Sequence, residues 1–510
     1  MRDASQDRRV SLFGRRNFLR TTGVAAAGVA MSGTASAYHD NYDRVVDIVE
    51  EGADNSGEES INPVLEDLRE DSILIKFPDG EYKMDRQFRF TGFSDYALVA
   101  EGDDATIRPV PAGDWNDDEH RMFKLGTYYA PGGRLRVQGL TFDYTASNTG
   151  LRALQAQVEN PYVRWITVNG RHDTGNWGPG PLLVDVIGSD NTGRVERVNL
   201  RDGGEMDPDG EGASVGPIGF TISPYHEGTL EVVRCRVNRF PNNGLYCSSE
   251  DGRTIVKKGV YSNSDVANIR LAGDECEVHG SYVYVDENPD GWGGQNGIRI
   301  DGTNEVTIKD VKMWLWDPTG TGIRVMSDAG ATRIDNVSMV MGEQKEDGIY
   351  VDDGSGPVDI VKSDVMKNGP GQALQIQPNG GRVNAVDFWV RGDAPGSDGG
   401  RHAIRCERDG CEFRWVHVYQ PGDDYRRALT INGDDCTVYG GEFESTHHPI
   451  IVDADGFDIQ DVTAEAYNDS EGIKVLDGHD GGRIVDSTIY NGIDNQGSDF
   501  ETSGNDYPDS

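Results

Sequence analysis

Gly297-Ile298-Arg299-Ile300, GIRI, is one of ten near-copies of a single pattern: a small residue, Ile or Leu, any residue, then usually an aliphatic. The others are GLYC (244–247), NIRL (268–271), GIRV (322–325), GIYV (348–351), ALQI (373–376), AIRC (403–406), ALTI (428–431), PIIV (449–452) and GIKV (472–475). They recur at a mean spacing of about 25 residues, with looser copies at Leu183 and Phe220. Each copy is followed by a turn and a second alternating segment, such as VTIKDVKMW (306–314) or FDIQDVTAEA (457–466). Alternation of period two is the mark of strands, and a repeat of this length holding two or three short strands reads as a coil. The expected fold is all-β: a right-handed parallel β-helix, a single solenoid of about 25 residues per coil. Ten coils stacked at about 4.8 Å extend roughly 43 Å.

Composition agrees with many short strands and turns: 66 Gly and 8% aromatics in 510 residues. Asp and Glu outnumber Lys and Arg by 87 to 48, a formal charge of −39, and only eleven of the 48 are Lys. An acidic, Lys-poor surface suits solvation in high salt and argues against nucleic acid as a partner. The first 37 residues read as an export address. Arg15-Arg16-Asn17-Phe18-Leu19-Arg20 is a twin-arginine signature, and an Ala/Gly/Val run leads to a cleavage site after Ala37. No later apolar run approaches the ~20 residues that span a bilayer, so an extracellular protein without a membrane anchor is expected. The six cysteines form no paired C-x-x-C metal pattern; Cys411 and Cys436 begin equivalent strands and are either bonded or buried thiols.

The expected layout is a signal peptide (1–37), an N-terminal cap and first strands (38–95), the β-helix (96–490) and a polar tail (491–510). Residues 60–72, SINPVLEDLREDS, read as a short amphipathic capping helix with Val64, Leu65 and Leu68 on one face, and 75–82, IKFPDGEY, as strand and turn. This opening resembles that of the pectate-lyase-like superfamily, in which a helix caps the barrel before an FP-x-G-x-Y element. The whole mature chain also looks like secreted β-helix proteins of salt-loving archaea.

Register turns the repeat into a map of one surface. In GIRI both Ile point inward, so the residue between them points out. That outward position reads Tyr246, Arg270, Arg299, Arg324, Tyr350, Gln375, Arg405, Thr430, Ile451 and Lys474. Two residues further, also outward, lie Asp301 and Asp352. Arginines ~4.8 Å apart repel by roughly 3–4 kcal/mol at an effective dielectric of 20. Either neighbouring acids neutralise the ladder or it forms a groove for an anionic chain. The position before the small residue supplies a second row that includes Asp347, His402, Arg427 and His448. In STHHPIIVD (445–453) His447 and His448 diverge, and a metal shared by His402 and His448 fails on a distance of roughly 9–10 Å. Those residues are either turn residues bonded to local backbone or a basic rim.

The loops supply further candidates. Trp177 and Trp292 are suited to stacking on sugar rings. Asp207, Asp209 and Glu211 alternate as Ca²⁺ ligands do, so Ca²⁺ is a possible cofactor. His172 beside Asp173 is a second candidate base. Polygalacturonase-type hydrolases resemble one another in Asp-Asp and Gly-His-Gly motifs placed before the equivalent strand. Here Asp352-Asp353 and residues 478–482 fall after it, and Asp347 is the one carboxylate in the right row near the middle. Lyases of the superfamily use Arg or Lys as base with a cation neutralising the uronate. The resemblance therefore implies a polysaccharide lyase, less readily a glycoside hydrolase, acting on an acidic polysaccharide. Its catalytic set is Arg299, Arg324, Asp301, Asp347, His172 and Asp173. Its substrate-binding set is Tyr246, Arg270, Tyr350, His402, Arg405, Arg427, His448, Trp177 and Trp292. The alternative is a non-catalytic glycan-binding or adhesive β-helix.

Overall fold

A computed structural model describes residues 42–111, 115, 120–174, 180–206, 216–302, 304–396, 401–423 and 425–509. The twin-arginine leader, Trp177, Asp207, Asp209 and Glu211 lie outside the described residues. The chain is a parallel β-solenoid of about 16 turns and about 26 residues per turn, with almost no helix. Each turn contributes to three parallel sheets. The first runs from Phe88–Phe90 to Ile493–Asn495 and holds the GIRI copies. The second runs from Arg44–Asp47 to Asp499–Ser503, and the third from Ser56–Ser60 to Thr488–Ile489.

The aliphatic position that opens each copy forms one continuous interior stack. Leu245, Ile269, Ile298, Ile323, Ile349, Leu374, Ile404, Leu429, Ile450 and Ile473 are each at most 1% exposed. Pairing is in register from coil to coil: Ile298 opposes Ile323, which opposes Ile349. A one-residue slip would turn every aliphatic outward, so burial of this stack fixes the register of all three sheets.

The corner between the second and third sheets repeats a single backbone device. Among the described residues one residue takes a left-handed conformation on fifteen coils, including Trp165, Arg197, Arg234, Lys258, Asp310, Asn336, Lys362, Asp387 and Trp415, with φ between 49° and 56°; Gly occupies it at Gly139, Gly280, Gly440 and Gly504. That conformation costs an L-residue about 1–2 kcal/mol. Its N–H, however, bonds the next coil, as in Arg234 to the Lys257 carbonyl (2.8 Å) and Lys258 to that of His279 (2.9 Å). The turn is thus held by the stack, and six of these residues, Trp165, Arg197, Arg234, Lys258, Lys362 and Trp415, are neither Gly, Asn nor Asp.

Three cations are buried where loops cross. Lys367 Nζ donates to the carbonyls of Gln344, Gly369 and Pro370 (2.7–2.9 Å). Arg408 reaches the carbonyls of Asp352, Gln377 and Gly381, and Arg426 that of Gly371 (3.0 Å) and Gln420 Oε1 (2.9 Å). Each straps turns of neighbouring coils, satisfying main-chain acceptors that would otherwise be buried unpaired. All six cysteines are buried free thiols.

The ends differ in extent from the sequence expectation. The capping helix is only Asn62–Asp67, because the Asp71 carboxylate accepts the N–H groups of Ser72, Ser94 and Asp95 and closes a turn there. Ile61, Leu65 and Leu68 join the core. Residues assigned to a cap and to a polar tail already belong to coils: Arg44–Asp47 pairs with Ile73–Phe77, and Asp499–Ser503 with Asp480–Val485. The terminal strand pairs through its backbone while most of its side chains stay exposed, so hydropathy gave it no signal. Replacing Ile323 by Ala should cost about 2–5 kcal/mol. Urea unfolding followed by circular dichroism should show the midpoint fall at constant slope; an unchanged midpoint would contradict the interior stack.

Candidate functional site

The outward row stands in unbroken register. Tyr246 opposes Arg270, which opposes Arg299, then Arg324, Tyr350, Gln375, Arg405, Thr430, Ile451 and Lys474. Burial divides the row. Tyr246, Arg270, Arg299, Arg324 and Tyr350 are half-buried with faces to solvent. Gln375 and Thr430 are each 4% exposed, Ile451 3%, and on the other side Leu183 6% and Gln155 7%. Thr221, opposite Tyr246, is half-buried too, so the open stretch covers six coils. Its charged and aromatic part is a window of five centred on Arg299, about 19 Å from Tyr246 to Tyr350 at the usual strand spacing.

Inside the window the guanidiniums are neutralised by acids of the neighbouring outward row. Asp301 receives Arg270 Nε at 2.6 Å and Arg299 Nε and Nη2 at 2.9 and 2.8 Å. Arg324 meets both oxygens of Asp352, more loosely, at 3.3 and 3.4 Å. The two terminal tyrosines are capped by cations, Arg270 at 4.5 Å from the Tyr246 ring and Arg324 at 5.4 Å from that of Tyr350. Three guanidiniums thus share two carboxylates and two ring faces. The repulsion expected of stacked arginines is cancelled locally. What remains is a surface of alternating hydrogen-bond donors, acceptors and aromatic faces, the pattern that recognises sugar hydroxyls and C–H faces. Beyond the window Arg405 is likewise paired, with Glu407 at 2.6 Å.

Asp347, in the loop before the Tyr350 strand, is mostly buried. It accepts the Gln372 N–H at 2.7 Å, and burial raises its carboxyl to about 6, against the opposing charges of Lys367 and Arg426. Burial brings those cations down as well, Lys367 to about 7 and Arg426 to about 9.

The second row closes over the sheet beyond the window. His402 bonds Thr430 Oγ1 at 2.6 Å and is held down to about 3 by burial and by Arg427. Arg427 is half-buried, and Arg426 beside it turns inward. His447 and His448 do not diverge as expected: their rings pack edge to face, centroids 4.2 Å and planes 81° apart. His448 Nδ1 meets the Glu471 carbonyl at 3.1 Å, and among the described residues His448, Glu471 and Asp494 form one group with the reach to hold a metal. Lys474 already stands 2.7 Å from Asp494 and supplies the cation there.

The remaining candidates lie away from the window. His172 is 2% exposed and lowered to about 4 by burial. Asp173 spends its carboxylate on the N–H groups of Asn148, Thr149 (3.1 Å) and Gly150 (2.9 Å). Both shape the 148–174 loops, where neither meets the arginine ladder. Trp292 is 8% exposed, so its ring offers no open platform.

Two features escaped sequence reading. One is a polar chain laid over the covered coils: Arg121 Nε to Gln155 Oε1 (2.7 Å), Gln155 to Gln157 (3.3 Å), Gln157 to Asp185 (2.9 Å) and Ser223 Oγ to Asp185 (2.5 Å). Asp185 is fully buried and its carboxyl is raised by desolvation. The other is a set of exposed tyrosines at the same end, where Tyr128 and Tyr225 stack at 4.0 Å and Tyr129 meets Tyr128 edge-on at 5.0 Å. Period-two patterning could have found the first, since Gln157 and Asp185 occupy outward positions; the second depends on loops that approach only in three dimensions.

No protein-family model matches the chain, and no curated protein matches it. Among solved structures it is similar to the surface protein and adhesin PfbA of Streptococcus pneumoniae, at 11% identity over 91% of this chain and 99% of that one, TM-score 0.44. It is also similar to the pre-mature gene product 12 of bacteriophage phi29 (12%, 90% and 73%, TM-score 0.45). A third is the catalytic unit of a thermostable GH87 alpha-1,3-glucanase from Streptomyces thermodiastaticus (12%, 90% and 68%, TM-score 0.22). At such identities and scores these likenesses carry nothing about activity, and the fold rests on the strand pairing itself.

The raised Asp347 carboxyl has a signed consequence. Between about pH 4, where the unfolded chain ionises, and about pH 6 the native state keeps a proton that the unfolded state has lost. Stability therefore falls as pH rises through that window. Asp347→Asn should flatten this slope in urea titrations at fixed salt and gain relative to wild type at pH 7; an unchanged slope would contradict the assignment.

Proposed function

We propose that the protein binds polysaccharide outside the cell, laying sugar units across the five-coil window of the first sheet. The observation that carries this reading is the in-register column Tyr246–Arg270–Arg299–Arg324–Tyr350 with Asp301 and Asp352 beside it. A column of stacked charged and aromatic groups costs side-chain entropy and desolvation that a solvated surface need not bear. Its repeat along the stack matches an extended polymer better than a compact ligand. The twin-arginine leader supports placing it outside the cell, and the resemblance to pectate-lyase-like proteins supports a glycan as partner.

A catalytic form of the same reading is lyase action on an acidic glycan. Arg324 or Arg299, as the neutral guanidine, takes the proton at C5 next to the uronate carboxylate. A C4–C5 double bond forms, and the C4–O glycosidic bond breaks with its oxygen leaving as a hydroxyl protonated from water. Favouring it is the loose Arg324–Asp352 pair, whose contacts of 3.3 and 3.4 Å and 38% exposed arginine leave that guanidinium free to turn toward substrate. The loss of a proton to a base and the stabilisation of the resulting enolate by a cation are the needs such a site must meet.

Binding is tested by affinity electrophoresis against a panel of neutral and acidic polysaccharides in high salt. Tyr246→Ala and Tyr350→Ala should each weaken retention about tenfold, a loss of about 1.4 kcal/mol. Full retention by both variants, or no retention of the wild type by any polymer, would overturn the reading. For the lyase form, uronate polymers should gain the ultraviolet absorbance of unsaturated ends, and Arg324→Ala should abolish the gain. Binding without any such absorbance would leave the window a binding surface alone.

A further inference from the structure

At the N-terminal end of the first sheet the outward row continues as Arg89 opposite Lys124, beyond the covered coils. These two cations stand apart from the arginines of the central window. Among the described residues no ion pair involves Arg89 or Lys124, and the Lys124 side chain makes no hydrogen bond. Arg89 donates to the Tyr129 hydroxyl at 2.8 Å. Burial, then the charges of Arg121, Arg89 and Arg152, bring the Lys124 ammonium down, with the Tyr129 phenol acting in the opposite sense. Arg121 and Arg152, which share Gln155 Oε1 at 2.7 and 3.2 Å, belong to the polar chain that leads to Asp185, whose charge also acts on Arg152.

A half-buried lysine beside Arg89, neither of them in an ion pair among the described residues, is unfavourable unless an anion joins the two, the more so in a chain of net charge −39 that pairs the arginines of the window with carboxylates. The cluster already favours negative charge on the one phenolic oxygen it holds. A hydrogen bond with Thr127, then the charges of Arg89 and Lys124, bring the Tyr129 hydroxyl below its usual range. Next to the cations lie the exposed rings of Tyr128, Tyr129 and Tyr225, 49%, 63% and 45% exposed. A charged pair beside open aromatic faces fits an acidic sugar better than a free ion, which would leave the rings without use.

We propose that Arg89 and Lys124, with the Tyr128–Tyr129 turn, form a separate subsite that receives the acidic group, carboxylate or sulfate ester, of a glycan sugar whose face rests on the tyrosines. The proposal rests on the reading of the protein as a glycan binder. It adds a point of charge recognition at the far end of the same sheet, apart from the arginine column, whose guanidiniums each already meet a carboxylate. In molar salt the Debye length is about 3 Å, so the subsite acts at contact and not as a long-range attractor.

Isothermal titration calorimetry in high salt with an oligogalacturonate, a sulfated galactan oligomer and a carboxyl-reduced neutral oligomer tests it. The wild type should favour an acidic over the neutral oligomer by about tenfold, about 1.4 kcal/mol. Which acidic oligomer is favoured identifies the group as carboxylate or sulfate. Lys124→Ala and Arg89→Ala should bring the ratio close to one, and Lys124→Arg should restore it, with circular dichroism confirming the fold of each. An unchanged ratio in Lys124→Ala and Arg89→Ala overturns the subsite while binding through Tyr246 and Tyr350 stands. If the wild type binds none of the three oligomers, the glycan reading falls and the subsite with it.

Discussion

Parallel stacking in strict register is the constraint from which everything else in this molecule follows. Each coil closes its hydrogen bonds on the next, and each buries its aliphatics on those of its neighbours; Ile298, Ile323 and Ile349 occupy one column without offset. A coil alone could do neither. Because the register is fixed by the interior, the exterior is fixed as well, and whatever stands between two inward residues is repeated at the coil spacing on the outside. The left-handed corner residues show the same dependence. Trp165, Arg197 and Lys258 take a backbone shape that their side chains disfavour, held there by the N–H bond to the following coil.

Such an exterior multiplies electrostatic errors, since one badly placed charge has like neighbours above and below. The chain answers in two ways. On the open window it sets an acid two residues after the outward residue on two coils, Asp301 after Arg299 and Asp352 after Tyr350, so that Asp301 serves Arg270 and Arg299 together and Asp352 serves Arg324. Under the loops it satisfies Lys367, Arg408 and Arg426 with main-chain carbonyls. A cation sheltered by peptide dipoles carries its charge without a carboxylate, at the cost of a strongly depressed pKa.

The fold was legible in the ten copies of GIRI, because period-two alternation and a 25-residue repeat have few other solutions. The same alternation gave the outward row, residue by residue, from Tyr246 to Lys474. What it could not give was the partner of each side chain. That Arg299 shares Asp301 with Arg270 depends on rotamers, and that Gln375 and Thr430 are covered depends on loops such as the one carrying His402. The short helix Asn62–Asp67 fell short of its pattern because Asp71 found three N–H groups of its own and of the following coil. Arg89 and Lys124 escaped notice because the early coils depart from the small-aliphatic pattern, and a row read forward from residue 244 does not reach them.

If the first sheet carries the glycan, its backbone should report the occupancy. Hydrogen–deuterium exchange with and without a bound polysaccharide is the most direct measurement. Added protection is predicted in the strands and adjoining loops from Leu245–Cys247 to Ile349–Val351, with the second sheet unaffected. Protection confined to the second or third sheet, with none along that window, would contradict the account.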